Sequence, residues 1–449
     1  MLSTFQLASI LAPMRDDTRR WIEADRAHCW HPFTRQGDWC APDHAPLVIT
    51  RGRGSWLWDS EGRRYIDGNS SIWTNIHGHA HPLITAAIRN QLEKSSHISF
   101  LGLTHPGAVE LAQQLCALFP PHSLERVFFS DNGSTAIECA LKMAVQYRQQ
   151  SGAARRHHFI AFSNGYHGDT LGAASLGGVG RFFERFTGHG YPVTHVRSLD
   201  ELRALPAQTV ENTAGVVIEP LIQGVHEMRP WPAGMLAGLR AWCDATGSHL
   251  ILDEVMTGFG RTGKMFACQH ENVVPDFLCL AKGLTGGTLP LAATLTTARI
   301  YAAFLGAPAR AFYYGHSYTA NPLGCAAALA SLEVFQQEQT LEHLPAKIDH
   351  LRAGLAALKT AHPVIHDVRQ CGFIAGIELR HPKGTKFPAA WHAGEAVCLA
   401  ARSHGLLTRP VLDTLVLLPP LSTTTAELDH ALAALDATLT EYPALKSWH

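Results

Sequence analysis

Between residues 105 and 330 the chain alternates short apolar runs with stretches whose apolar residues return every third or fourth position. The runs are RVFFS (126–130), HHFIAF (157–162), AGVVIEP (214–220), SHLILDE (248–254), DFLCLA (276–281) and LAATLTT (291–297). Each is too short for a helix and apolar on successive residues, which predicts a strand covered on both faces. The helical periodicity between them predicts crossovers, and hence a mostly parallel sheet with helices on either side. The expected fold class is therefore α/β, with ligands seated beyond the carboxyl ends of the strands.

The chain ends carry a different pattern. Residues 45–67 (PLVITRGRGSWLWDSEGRRYIDG) read as β-hairpins with glycine-containing turns. A long helical pattern covers 325–360, and 365–449 mixes strands with helices. The expected organisation is a large domain over 76–329. A smaller α+β domain is built from both ends, with 1–75 contributing to it and 330–449 completing it.

Composition narrows the function. The chain has 449 residues, 46% hydrophobic, with a formal net charge of −1 and its basic residues scattered. That balance gives no electrostatic footprint for nucleic acid or an anionic membrane surface. The apolar patch near the N-terminus has no basic residue ahead of it, as a secretory signal requires, and no run approaches a membrane span. Ten cysteines occur without a CxxC pair, several inside apolar helical patterns, as in a reducing compartment. The expectation is a cytoplasmic metabolic protein.

Four stretches could carry chemistry. In VFFSDNGSTAIECALKMA a strand runs into Asp131–Ser134 and then a helix, with Thr135 and Glu138 at capping-box spacing. Gly133 and Ser134 would present N–H groups and a hydroxyl at a positive helix end, where a phosphate can sit. In SNGYHGDT (163–170), Tyr166 and His167 follow a strand, so an aromatic face is offered to a flat ligand. In LILDEVMTGFGRTG (250–263), Asp253 and Glu254 end an apolar strand, where a buried carboxylate needs a cation or donor. In CLAKGLTGG (279–287), Lys282 ends another apolar run, about one crossover after Asp253. A desolvated lysine is a better nucleophile toward carbonyls.

Taken singly, each stretch admits a plain structural role: a capped helix, a core-plugging aromatic, a salt bridge. Taken in order, they describe a pyridoxal-phosphate site, with the lysine bonding the aldehyde and the acid facing the ring nitrogen. The glycines at 283, 286 and 287 would leave room for cofactor and partner chain. HGHAHP places His77, His79 and His81 at alternate positions, but no carboxylate or cysteine joins them at ligand spacing, so metal is not expected.

The Asp253–Lys282 block resembles the signature of class III, fold-type I pyridoxal-phosphate aminotransferases, and the resemblance runs from about Trp30 to Pro420. Within that class, CWHPFT, DGNSSIWTNIHGHAHP, NGYHGDT, GKMFACQHENVVPD and GLTGGTLPLAATLTT resemble the diaminopelargonate synthases of biotin biosynthesis. These make 7,8-diaminononanoate from 8-amino-7-oxononanoate. The resemblance implies that Lys282 is the Schiff-base lysine, Asp253 the partner of the pyridine nitrogen and Tyr166 the ring-stacking residue. Gly133 and Ser134 would hold the phosphate. It implies that Gly315, His316 and Ser317, in YYGHSYTANPLG, belong to a segment shared across a homodimer. His316 and Ser317 would face the partner's phosphate, with Gly315 beside the substrate. Arg409 would clamp a substrate carboxylate, and Trp30, Phe33 and Trp73 would wall the substrate chain.

The chain departs from many members that use S-adenosylmethionine: Phe33 replaces a tyrosine, and Ile72–Trp73 replaces a tryptophan pair. That version is closer to members that take nitrogen from lysine. A general ω-aminotransferase for a diamine or ω-amino acid is the alternative. An effector domain of a transcription regulator would need a DNA-binding segment, for which the first ~25 residues are too short.

Overall fold

The computed structural model describes residues 14–42 and 44–441, so the apolar patch at the N-terminus lies outside the described residues. Its centre is a seven-stranded sheet: β1 (Arg126–Ser130), β2 (His158–Phe162), β3 (Val193–Val196), β4 (Thr213–Ile218), β5 (His249–Asp253), β6 (Phe277–Leu280) and β7 (Ala292–Thr296). The spatial order is β1-β7-β6-β5-β4-β2-β3. β4, β5, β6 and β7 are buried at every residue, as their unbroken apolar runs require.

All six expected strands are present, and β3 is the one the pattern missed. It is a four-residue edge strand whose middle residues are half-buried or exposed, too short and too mixed to stand out. β7 alone runs antiparallel, to β6 on one side and β1 on the other. The link between β6 and β7 folds as a single tight turn over Lys282–Thr285, and a parallel return needs a longer crossover.

Helix α1 (Gly133–Gln150) follows β1 and covers the sheet with Ile137, Ala140, Leu141 and Ala144. Its capping box is Asn132 with Thr135, not Thr135 with Glu138. The helix begins at Gly133, which puts Thr135 at the third helical position and Glu138 a turn too deep to cap. Glu138 accepts instead from the Thr170 hydroxyl (2.8 Å) and the Ala173 N–H (3.2 Å).

The two chain ends meet. Antiparallel strands Ile49–Arg53, Trp56–Asp59 and Arg64–Asp67 form a sheet completed by Leu406–Leu407, which pairs in parallel with Ile66 and Asp67. A second sheet uses Ile365–Cys371, Ile374–Leu379, Pro410–Val411 and Thr414–Leu417. The helical pattern over 325–360 is two helices, α2 (Pro322–Gln337) and α3 (Thr340–Ala361), broken where Gln339 turns left-handed with φ 47°. Among the described residues no helix is long and apolar enough to cross a membrane, and all ten cysteines are free.

Arg261 ties these parts to the central sheet. It is fully buried, and its guanidinium donates to the carbonyls of Asn75 (2.8 Å) and Pro419 (2.6 Å). Burial pulls its ionisation down to about 9. The glycines after Lys282 belong to the same junction. A Cβ on Gly283 would lie 2.9 Å from Ile76 Cγ1, and one on Gly286 would lie 2.8 Å from Ile84 Cδ1. They make room for this chain's own residues 74–84. Gly287 is the tightest, with φ +79° and a would-be Cβ 2.5 Å from the Thr74 backbone. Gly287→Ala is expected to cost ~2–4 kcal/mol through strain and collision, read as a lower thermal unfolding midpoint.

Candidate active site

The parallel strands place their following residues along one edge of the sheet. β5 and β6 are neighbours, with Asp253 opposite Cys279, so Asp253 and Lys282 emerge side by side. Lys282 is the first residue of the tight turn and takes a left-handed conformation, φ 46°. Burial lowers its ammonium to about 8; the Arg261 charge acts in the same direction, against the pull of Asp253 and Glu219.

Asp253 does not pair with this lysine. Its Oδ2 accepts from His167 Nδ1 at 2.7 Å, and its Oδ1 accepts from the Val255 N–H at 3.1 Å. His167 is buried, which by itself favours the neutral ring. The Asp253 hydrogen bond and charge outweigh that, and its ionisation shifts upward. Glu254, the adjoining carboxylate, points elsewhere and pins the Ala267 (2.7 Å) and Cys268 (2.8 Å) N–H groups. The two acids that end this run therefore have separate tasks.

Tyr166 stands over the same edge on the loop after β2. Its N–H donates to Glu219 Oε1 (3.1 Å) and its hydroxyl to Asp169 Oδ2 (2.7 Å). Burial, then the Asp169 bond and charge, push its ionisation well above the ordinary range. The rings of Phe182 and Phe33 approach it edge-on at 5.8 and 6.5 Å, and those two rings lie 5.8 Å apart. Phe33 is 63% exposed, so its position depends on this aromatic triangle.

The start of α1 supplies an anion seat. With Asn132 capping Thr135, the Gly133 and Ser134 N–H groups have no acceptor among the described residues. The Ser134 hydroxyl bonds Thr170, donating to its Oγ1 (3.0 Å) and accepting from its N–H (2.8 Å). A Cβ on Gly133 would meet Val255 Cγ1 at 2.6 Å, so the seat adjoins the Asp253 strand end. The helix dipole adds to its preference for negative charge.

Trp73 closes the lysine side, its ring centroid 4.9 Å from Lys282 Nζ. It ends a left-handed turn in which Ser70, Ser71, Ile72 and Trp73 have φ of 47, 48, 67 and 66°. Such residues cost ~1–2 kcal/mol each, so the turn must be held from outside. Asp67 takes the Ser71 N–H (3.0 Å) and hydroxyl (2.8 Å), Leu418 O takes the Ser70 hydroxyl (2.7 Å), and Asn69 takes the Trp73 indole N–H (2.9 Å).

The remaining sequence candidates are more peripheral. His316 Nε2 is buried without a hydrogen-bond partner, 3.8 Å from Asp131 Oδ1 beside the anion seat. Gly315 and Ser317 are exposed. Arg409 is also exposed, and no acceptor for its guanidinium is found among the described residues. Trp30 is 89% exposed and is not brought to the other aromatics in a single chain. His77, His79 and His81 bond three different partners, Ser331, Asp67 and Glu338. Sequence reasoning left His167 without a task and missed Glu219, Asp169, Thr170 and Phe182. A carboxylate closing the apolar run AGVVIEP was the available signal for Glu219.

The chain is similar to known proteins over nearly its whole length. The family model for aminotransferase class-III matches residues 40–439. Adenosylmethionine-8-amino-7-oxononanoate aminotransferase of Geobacter sulfurreducens is 43% identical, over 94% of this chain and 98% of its own. The crystal structure of the enzyme of that name from Methanocaldococcus jannaschii superposes with a TM-score of 0.91 at 39% identity, covering 95% of this chain and 99% of its own. An amine transaminase from an uncultivated Pseudomonas species, solved in its PLP-bound form, gives a TM-score of 0.84 at 33% identity, covering 92% and 98%.

The lowered lysine has a measurable consequence. Below pH 8 Lys282 is mainly the unreactive ammonium, and its amine is released as the pH rises through about 8. In protein stripped of any bound aldehyde, modification of Lys282 by an amine-directed reagent, followed by peptide mass spectrometry, is expected to show a midpoint near 8. Solvent-exposed lysines in the same digest should titrate about two units higher.

Proposed function

This chain belongs to the class III aminotransferases, and on that basis we propose that it converts 8-amino-7-oxononanoate to 7,8-diaminononanoate in biotin biosynthesis. The observation that carries the reading is Lys282 beside a His-held Asp253 on adjacent strand ends, in a chain matching the enzymes of that name over nearly its whole length.

The residues present fit pyridoxal phosphate. Gly133 and Ser134 would hold the phosphate, Tyr166 would lie on the ring, and Asp253 would face the ring nitrogen. Bound there, the cofactor supplies an aldehyde for amines and a ring that draws electrons from the adjoining carbon. The protein does the rest. His167 and the Val255 N–H fix the Asp253 carboxylate, which would give the ring nitrogen a settled charge to face. Trp73 and the buried strand end shield the Lys282 amine on their sides. The Lys282 amine, neutral in part near its depressed pKa, takes a proton from the donor carbon at Nζ and returns it. Arg409 holds a substrate carboxylate with its two-pronged guanidinium.

Both substrates use one pocket in turn, so ping-pong kinetics are expected. Lys282→Ala should lose at least about a thousandfold in turnover, since it removes base and tether together. The purified enzyme should aminate 8-amino-7-oxononanoate faster than pyruvate or 2-oxoglutarate; the opposite order would assign it to the general ω-aminotransferases. For the donor, the relatives' name supports S-adenosylmethionine, while Phe33 and Ile72 support lysine. Single half-reactions of the holoenzyme with each donor decide, the faster loss of cofactor absorbance marking the donor.

The reading includes a cytoplasmic homodimer with shared sites. Exposed Leu101, Leu103, Tyr313 and Tyr318 offer apolar surface for a second copy, and Ser317 would reach the partner's phosphate seat. Mixing Lys282→Ala with Ser317→Glu subunits tests this. If Ser317 acts across the interface, each hybrid dimer regains one whole site and activity returns. If it acts within its own chain, the mixture stays inactive.

A further inference from the structure

Glu219 is a buried carboxylate that none of the steps above employs. It lies just past β4, 7% exposed, and no Lys or Arg forms an ion pair with it among the described residues. Its two oxygens are divided between two loops. Oε1 accepts from the Tyr166 N–H at 3.1 Å, and Oε2 accepts from the Gly224 N–H at 2.8 Å. Gly224 backs the other wall: a Cβ there would lie 3.0 Å from Trp73 Cζ3 and 2.9 Å from Met256 Sδ. One side chain thus holds both the backbone of Tyr166 and the glycine that packs against the Trp73 ring. Gln223 adds a second tie between the same loops, donating from Nε2 to Ser163 O at 3.0 Å.

We propose that Glu219 is a positioning residue that sets the spacing between the Tyr166 and Trp73 walls and keeps a negative charge behind the lysine. The inference rests on the pyridoxal-phosphate reading. The titratable groups around the carboxylate are Tyr166 and His167 from the loop after β2, Asp253 from β5 and Lys282 after β6. Burial raises its ionisation to about 7, Asp253 adds to that, and His167 opposes it. The carboxylate is therefore ionised in the alkaline range where the Lys282 nitrogen titrates, and there it favours the protonated form of that nitrogen.

Two substitutions separate spacing from charge. Glu219→Gln keeps the length but loses the charge and one acceptor. Glu219→Asp keeps the charge, but its shorter reach cannot span both loops. The holoenzymes would be compared by pH titration of the cofactor absorbance and by donor KM in steady state. In Glu219→Gln the absorbance midpoint should fall by roughly half to one pH unit. Glu219→Asp should keep the wild-type midpoint, with donor KM raised about tenfold from the displaced walls. A Glu219→Gln enzyme titrating at the wild-type pH overturns the charge role, and a Glu219→Asp enzyme with unchanged KM overturns the spacing role. If Glu219→Gln does not accumulate as folded protein, Glu219→Asn, which has the reach of Glu219→Asp without its charge, is titrated in its place, and a midpoint equal to that of Glu219→Asp overturns the charge role. Wild-type protein without any such absorbance would count against the cofactor reading itself, a result distinct from unaltered variants.

Discussion

The parallel pairing of β5 with β6 is the constraint on which the site depends. It fixes Asp253 opposite Cys279, so the residues that follow each strand lie together at one edge of a buried sheet. Both strands are covered on both faces, and neither end can slide without exposing its apolar run. A carboxylate and a lysine are thereby held side by side without an ion pair. A salt bridge would spend both groups on each other. Here His167 takes the acid, and burial leaves the amine poised near neutrality.

Several charged groups crowd this region, and each has a different remedy for desolvation. Arg261 has backbone carbonyls, Glu219 and Glu254 have backbone N–H groups, and Asp253 has an imidazole. For Arg261, Glu219 and Glu254 these neutral backbone partners satisfy a charge without cancelling it. The local field therefore stays available to whatever binds at the sheet edge, which is the condition for tuning a lysine by its neighbours.

The same place carries backbone strain. The left-handed run Ser70–Trp73 and left-handed Lys282 face each other, and both are clamped by the surrounding structure. Asp67 and Leu418 hold the first, and Gly287 lets the Thr74 backbone close over the second. Segments from the N-terminal sheet, the central sheet and the C-terminal region thus meet within a few residues of Lys282. Arg261 bonds two of them directly, which explains why a residue so rarely buried is fully enclosed here.

Much of this was legible from the order of residues. Unbroken apolar runs gave six strands, and their spacing gave the crossovers that align Asp253 with Lys282. The resemblance pointed to the same lysine, acid and tyrosine. Less could be read where the cause is not local. Four-residue β3 is too short to carry a period, and β7 reverses because its link is too short for a crossover. The capping pair shifted because the helix start is set by the loop before it. The glycines after Lys282 admit residues 74–84, a neighbour some two hundred positions away. His167 and Glu219 acquire tasks only when separate strand ends converge. Sequence alone determined which side chains stand at strand ends, because burial dictates the strand pattern. The tertiary structure decided which of them face one another, because those contacts join segments that pattern and spacing treat as unrelated.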